Sequence, residues 1–194
     1  FENNFSNLEI IVFDNKSTDN TKKVVENFSK NSKQLKYFCQ PKNLGPLENW
    51  KSALNVSKGK YVHWLWSDDW VESDFYIKMT KRLEKDSSTI AFCSVKTVNL
   101  EDNWAKITYS YLDGVYDSKQ FLKKYIKGFE YPVSPAACLL RRDHCSSILN
   151  DFFVPDTKNI NVNDYGTGYD AVMIMEGIFN SLKVSLVNKQ LVNF

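Results

Sequence analysis

Histidine is nearly missing from this chain, with two in 194 residues, and the four cysteines, Cys39, Cys93, Cys138 and Cys145, form no CxxC pair. That argues against a zinc ribbon and against a dithiol redox motif, and leaves reduced, mostly buried thiols as the expectation. Charge of one sign is missing too. With 25 Lys plus Arg against 23 Asp plus Glu, the formal charge of +2 makes no field suited to nucleic acid or a bulk anionic membrane, so any phosphate recognition must be local. No apolar run approaches the ~18–20 residues that span a bilayer, and no signal peptide is expected. The chain opens without methionine and enters a strand almost at once, so further residues are expected upstream.

What is present is the composition of a folded protein, 43% hydrophobic and 14% aromatic, with only 7 Gly and 5 Pro. The length suits one domain over residues 1–194, and no internal repeat or low-complexity linker divides it. Residues 8–13 (LEIIVF) read as a strand buried on both faces, as in a parallel sheet. A helix then starts near Thr18, with Ser17 or Thr18 as its cap and Val24, Val25 and Phe28 as its apolar stripe. Residues 35–39 form a second strand, and Leu47, Trp50 and Leu54 recur at helical spacing before a stop at Gly59. Residues 61–66 (YVHWLW) form a third buried strand, followed by a helix marked by Phe75, Met79 and Leu83 that Ser73 could cap. This alternation predicts an α/β layered fold with a largely parallel sheet.

After Thr89 the rhythm becomes mixed. Strands are expected at 90–95, 106–112, 136–140 and 183–187, with helices at 118–127, after Asp143, and at 170–182; residues 151–168 read as a long surface loop.

Two acidic clusters fall at carboxyl ends of strands, where open α/β sheets bind ligands: Asp14-Asn15 and Asp68-Asp69. Adjacent carboxylates repel, and a cation between them and a ligand relieves that repulsion. With no His or Cys nearby, a hard divalent ion, Mg2+ or Mn2+, suits the pair. The plainer reading, a strand end whose acids cap the next helix, fits the pair equally well. His63 reads as a satisfied core histidine, His144 as a helix-start surface residue, Trp70 as a sugar-stacking candidate, and Arg141 and Arg142 as a charged strand end.

The run at 10–21, IIVFDNKSTDNT, resembles the IVVDNGSTDNT signature of family 2 glycosyltransferases with the GT-A fold. Asn43-Leu44-Gly45, Asn49, Ala53-Leu54 and Gly59-Lys60-Tyr61 resemble the stretch that follows it in that family, and Ser67-Asp68-Asp69 stands in place of its metal-binding DxD motif. The ordered match covers residues 8–83. The resemblance implies a Rossmann-like three-layer sandwich with a mixed, mainly parallel central sheet, and a first strand lying before Phe1 whose loop also grips the nucleotide.

The resemblance further implies transfer of a sugar from a nucleoside-diphosphate donor to a glycan or lipid-linked acceptor, inverting and metal-dependent. The setting it implies is bacterial surface polysaccharide or glycoconjugate assembly, cytoplasmic or at the inner face of the cytoplasmic membrane, with peripheral membrane association. By the same resemblance Asp14, Asn15, Ser17, Asn43, Gly45 and Asp68 lie at the donor nucleotide, and Asp69 with Asp68 at the metal. Asp170, in the GTGYD run that opens a helix, is the candidate general base with Asp164 in reserve, a role compatible with helix capping. A nucleotidyltransferase and a non-catalytic nucleotide-sugar or glycan-binding domain are the alternatives.

Overall fold

The computed structural model describes residues 5–110, 112–127, 134–145 and 168–194. The sequence reading expects one domain; within the chain the contacts separate two compact units, one from Ser6–Gly59 and one from Lys60–Cys145 with Asp170–Phe194.

The amino-terminal unit is β1 (Ile10–Asp14), α1 (Thr21–Ser29), β2 (Leu35–Cys39) and α2 (Gly45–Val56). β1 and β2 pair in parallel, Ile10 opposite Leu35 and Asp14 opposite Cys39, as a strand–helix–strand crossover requires. Ile10 to Phe13 are half-buried rather than sealed on both faces, because among the described residues the unit's sheet has two strands. Glu9 fastens this ladder to the end of α2: its Oε1 accepts the backbone amides of Lys58 (2.5 Å) and Gly59 (3.0 Å), and its Oε2 pairs with Lys36. The expected α1 stripe is not a core: Val24 and Phe28 are 50% and 58% exposed. α1 also starts later than expected, at Thr21, because the Asp19 carboxylate accepts both the amide and the hydroxyl of Thr21.

The second unit is built on a seven-stranded sheet: β3 (Tyr61–Val62), β4 (Trp70–Val71), β5 (Ile90–Asn99), β6 (Trp104–Tyr109), β7 (Gly114–Asp117), β8 (Cys138–Arg141) and β9 (Lys183–Asn193). The strand order is β3-β8-β5-β9-β4, with β6 added to β5 and β7 to β9. The sheet is mixed as expected, but not mainly parallel. Among the described residues only β5–β9 runs parallel within it, and the other ladders are antiparallel. The reason is connection length: residues 100–103 join β5 to β6 directly, and a link that short cannot cross over.

Alternation along β5 builds three layers. Ala91, Cys93 and Val95 face Phe75, Met79 and Leu83 of α3 (Phe75–Asp86) in one core cluster. Ile90 and Phe92 point the other way, where Phe92 stacks on Phe121 of α4 (Ser118–Ile126) at 5.6 Å and Ile90 meets α5 (Tyr169–Phe179). Gly177 sets the closeness of that second contact: a Cβ there would stand 2.6 Å from Leu140 Cδ2 and 3.2 Å from Ile90 Cδ1. Cys93, Cys138 and Cys145 are buried free thiols and Cys39 is exposed.

Three other expectations shift. The strand at 61–66 closes after Val62, the one at 136–140 begins as a 3-10 turn, Pro135–Ala137, capped by Ser134, and a further 3-10 turn covers Arg142–His144, while the residues from 146 on, where a helix is expected after Asp143, lie outside the described residues. Residues 151–167 and Asp164 lie outside the described residues. His63 explains the short β3. Its Nε2 contacts the Ala136 carbonyl (2.8 Å), its Nδ1 the Tyr76 hydroxyl (3.2 Å), and its ring packs on Phe75 at 4.5 Å. The backbone leaves the ladder so that the imidazole can tie α3 to the 3-10 turn. With Nε2–H donating to the carbonyl, Nδ1 accepts from Tyr76.

Burial holds the His63 pKa down to about 4 against the carbonyl's upward pull. A base with a depressed pKa contributes stability that is present above its unfolded value near 6.5 and is lost as pH falls toward 4. Thermal melts across that window should therefore fall less steeply in His63→Gln than in the native chain, and equal slopes would refute the assignment.

Candidate active site

In the amino-terminal unit the loop after β1 and the start of α2 are laced by side chains the sequence singled out. Asp14 is buried, and both its oxygens are engaged: Oδ1 accepts the Ser17 amide (2.7 Å) and Oδ2 the Tyr37 hydroxyl (2.6 Å). Burial pushes its carboxyl up, but the bonds from Ser17 and Tyr37 outweigh that and hold it below the ordinary carboxylate value. The Tyr37 phenol is correspondingly raised, first by its bond to Asp14 and then by burial.

Asn15 reaches across to α2. Its Oδ1 accepts the Leu44 amide (2.9 Å) and its Nδ2 donates to Asn43 Oδ1 (2.8 Å), which also accepts the Gly45 amide (2.9 Å). Gly45 has φ +79°, a conformation that favours glycine. Asn49 closes the set by donating to the Phe13 carbonyl (2.8 Å). The structure thus brings together Asp14, Asn15, Ser17, Asn43 and Gly45.

Asp68 and Asp69 belong to the other unit, in a turn where the Asp69 amide donates to the Trp66 carbonyl (3.3 Å). The next residue begins β4, whose Trp70 and Val71 pair with Asn193 and Val192 of β9. Glu72 continues the anchor, its amide donating to the Leu191 carbonyl and its carboxylate accepting from Asn193. A loop otherwise free to move is thereby pinned one residue past the carboxylates. The capping alternative fails, because α3 begins at Phe75 with Asp74 as its flanking residue.

Burial first, and then the negative charge of Asp68, push the Asp69 pKa up to about 6. Among the described residues no cation or hydrogen-bond donor is recorded against either carboxylate, and no cluster of three or more His, Cys, Asp or Glu forms a closed metal cage. Two carboxylates with no counter-charge among the described residues are the oxygen ligands a hard divalent ion prefers.

Asp170 lies in the first turn of α5, its Oδ1 accepting the Ala171 amide (2.8 Å). Arg141 is clamped by both oxygens of Asp143, at 3.0 and 2.6 Å, in keeping with a charged strand end.

Tyr37 is the residue that sequence reasoning missed. Asp14 sits opposite Cys39, and Tyr37, two residues earlier, shares the Cys39 face of β2, so its long phenol reaches the carboxylate. Only the strand register carries that signal.

Residues 1–149 match the family model described as "Glycosyl transferase family 2". Among curated relatives, a Campylobacter jejuni protein named GalNAc(5)-diNAcBac-PP-undecaprenol beta-1,3-glucosyltransferase is 42% identical over 66 residues, 34% of this chain and 21% of its own. A Haemophilus influenzae protein named as a glycosyltransferase is 27% identical over 103 residues, 53% of this chain and 41% of its own. The chain therefore spans less than half the length of these relatives. In structure it is similar to S. aureus TarS 1–349, solved in complex with UDP-GlcNAc, with a TM-score of 0.76 at 19% identity, covering 100% of this chain and 51% of that one. The likeness establishes a shared GT-A fold.

Removing one donor to Asp14 should be measurable. Tyr37→Phe is expected to raise the Asp14 pKa and to cost about 1–2 kcal/mol of stability above it. Because a lowered folded pKa contributes stability that is lost as pH falls, the deficit should shrink in acid. Carboxyl-carbon NMR titration with denaturant unfolding at two pH values checks both.

Proposed function

This chain belongs to glycosyl transferase family 2, and from that premise we propose that it holds the donor site of an enzyme that moves a sugar from a nucleoside-diphosphate sugar to an acceptor hydroxyl. The observation that carries the proposal is the Asp68–Asp69 turn, two carboxylates without a counter-charge among the described residues and fixed immediately before β4. Asp69, with Asp68, would hold Mn2+ or Mg2+. When bound, such an ion offsets negative charge on a departing diphosphate.

The chain's own residues do the rest. Asp14 accepts and never donates, and a carboxylate has lone pairs beyond the two taken by Ser17 and Tyr37. It therefore suits a base edge that presents an N–H. Asn15, Ser17, Asn43 and Gly45 shape the loop around that edge: the Asn15 carboxamide is spent on Leu44 and Asn43, the Asn43 carboxamide oxygen on Asn15 and Gly45, and the Ser17 amide on Asp14. Their part in nucleotide binding is to fix its floor. Asp170, with Oδ1 taken by the Ala171 amide, keeps Oδ2 for the acceptor's proton. An attack assisted from that side, opposite the leaving diphosphate, gives inversion.

The UDP-GlcNAc complex of TarS supports a nucleotide-sugar donor. The undecaprenol-linked acceptor in the name of the C. jejuni relative supports a lipid-linked or glycan acceptor, and our reading sets that transfer in bacterial surface glycoconjugate synthesis at the cytoplasmic face of a membrane. No helix among the described residues is long and apolar enough to cross a membrane.

In the full-length protein, Asp69→Ala should lower metal-dependent transfer at least a hundredfold while leaving the fold intact; full activity with added manganese would refute the metal role. Because Asp69 titrates near 6, a divalent ion must displace its proton below that pH. Calorimetry in buffers of different ionisation enthalpy should register proton release that fades as pH rises above 7. Asp170→Asn should cut kcat about 10²–10⁴-fold with donor KM little changed, and an unchanged kcat would remove it as the base.

A further inference from the structure

Where Cys93 of β5 faces Val187 of β9, the next residue, Ser94, already faces Gln190, so Asn188 and Lys189 are extra in the register and are pushed out of the ladder. Asp113 secures this bulge, its Oδ1 accepting the Asn188 amide at 2.8 Å. A bulge re-aims side chains, and Lys189 is carried to α3, where its ammonium meets Asp74 Oδ2 at 2.5 Å.

The face of α3 that it joins carries four cations. Lys78, Lys81, Arg82 and Lys85 recur at i, i+3, i+4 and i+7, so like charges stand one turn apart at 78/82 and 81/85, spacings unfavourable to a helix unless acids offset them. These four residues, with Lys189, Asn188, Asp113 and Val187, line a groove of about 340 Å³.

Acidic neighbours do not balance the groove. Asp74 Oδ2 is shared between Lys78 (3.2 Å) and Lys189, Asp86 is taken by Arg82 at 2.5 Å and by the Ser185 hydroxyl, and Asp113 holds the bulge. Lys81 and Lys85 are exposed, with no carboxylate recorded against them among the described residues. A solvated helix face ordinarily mixes signs. Here acids pair only two of the four cations, Lys78 with Asp74 and Arg82 with Asp86, leaving Lys81 and Lys85 over, and a bulge in a central strand supplies a fifth cation across the gap.

We propose that this groove is a binding site for a phosphate-class anion, gripped by Lys81, Lys85 and Lys189 and separate from the Asp68–Asp69 turn. Ammonium groups act as compact point charges with several donors each, suited to a phosphate presented from more than one angle. The phosphate can come from a soluble phosphorylated compound or from a lipid headgroup, and the two sources are separable.

The test uses the full chain with EDTA present, so that metal-dependent donor binding does not contribute. Pyrophosphate is titrated in one arm, and vesicles of phosphatidylcholine with 30% phosphatidylglycerol are co-sedimented in the other. The variant is Lys81→Glu/Lys85→Glu; Lys23→Glu/Lys33→Glu makes the same charge change on exposed lysines of the other unit, and circular dichroism checks folding of both.

At least tenfold weaker pyrophosphate binding in the α3 variant alone assigns a soluble phosphate, and loss confined to vesicles assigns a headgroup. Either result supports the site. Equal losses in the two variants, or no native binding in either arm, overturns it. If the α3 variant misfolds, Lys189→Gln takes its place, with at least a threefold loss expected and no loss overturning the proposal.

Discussion

The parallel ladder between β5 and β9 is the constraint on which the second unit depends. Every other strand of its sheet reaches the centre through one of these two: β8 and β6 through β5, β4 and β7 through β9, and β3 through β8. Both central strands are long enough to change partners along their length. β5 pairs with β8 at Ile90–Phe92 and with β6 from Val95 onward, while β9 passes from β7 to β4. The irregular register between them is what lets one pair of strands serve four neighbours, since each bulge turns the strand toward its next partner. The placement of Asp69 follows from this, because β4 is a two-residue strand held only by β9.

Much of this was legible in the sequence where the signal is local. The strands and helices at 10–14, 35–39, 45–56 and 75–86 follow from apolar periodicity and its punctuation, and the Asp14 and Asp68–Asp69 loops follow from motif spacing. What was not legible depends on pairing. Nothing in YVHWLW says that the strand ends after Val62, since His63 leaves the ladder for partners at Tyr76 and Ala136, far along the chain. The α1 stripe of Val24 and Phe28 has the right spacing for a core yet faces outward, because periodicity gives a helix a face without saying what covers it. Tyr37 was invisible for the same reason, as its bond to Asp14 exists only through the β1–β2 register.

The loop after β1 and the Asp68–Asp69 turn use opposite electrostatic strategies. Around Asp14 and Asn15 almost every polar group is satisfied internally, which makes that loop stiff. At Asp68 and Asp69 no counter-charge stands among the described residues, which is costly in the free protein and which a cation would relieve. One loop is held by its own bonds, and the other carries unmet charge.

The parallel pairing of β5 with β9 also fixes an order of events. Ile90 waits for Val184, so during synthesis the core strand of this unit is made long before its partner, and α3, β6, β8 and α5 all leave the ribosome before it can be completed. Long-range parallel pairing forms slowly and leaves apolar edges open in the meantime. The turn carrying Asp68 and Asp69 gains its anchor only when residues 192 and 193 arrive. A nascent chain stalled short of them holds the carboxylates with nothing to hold them in place.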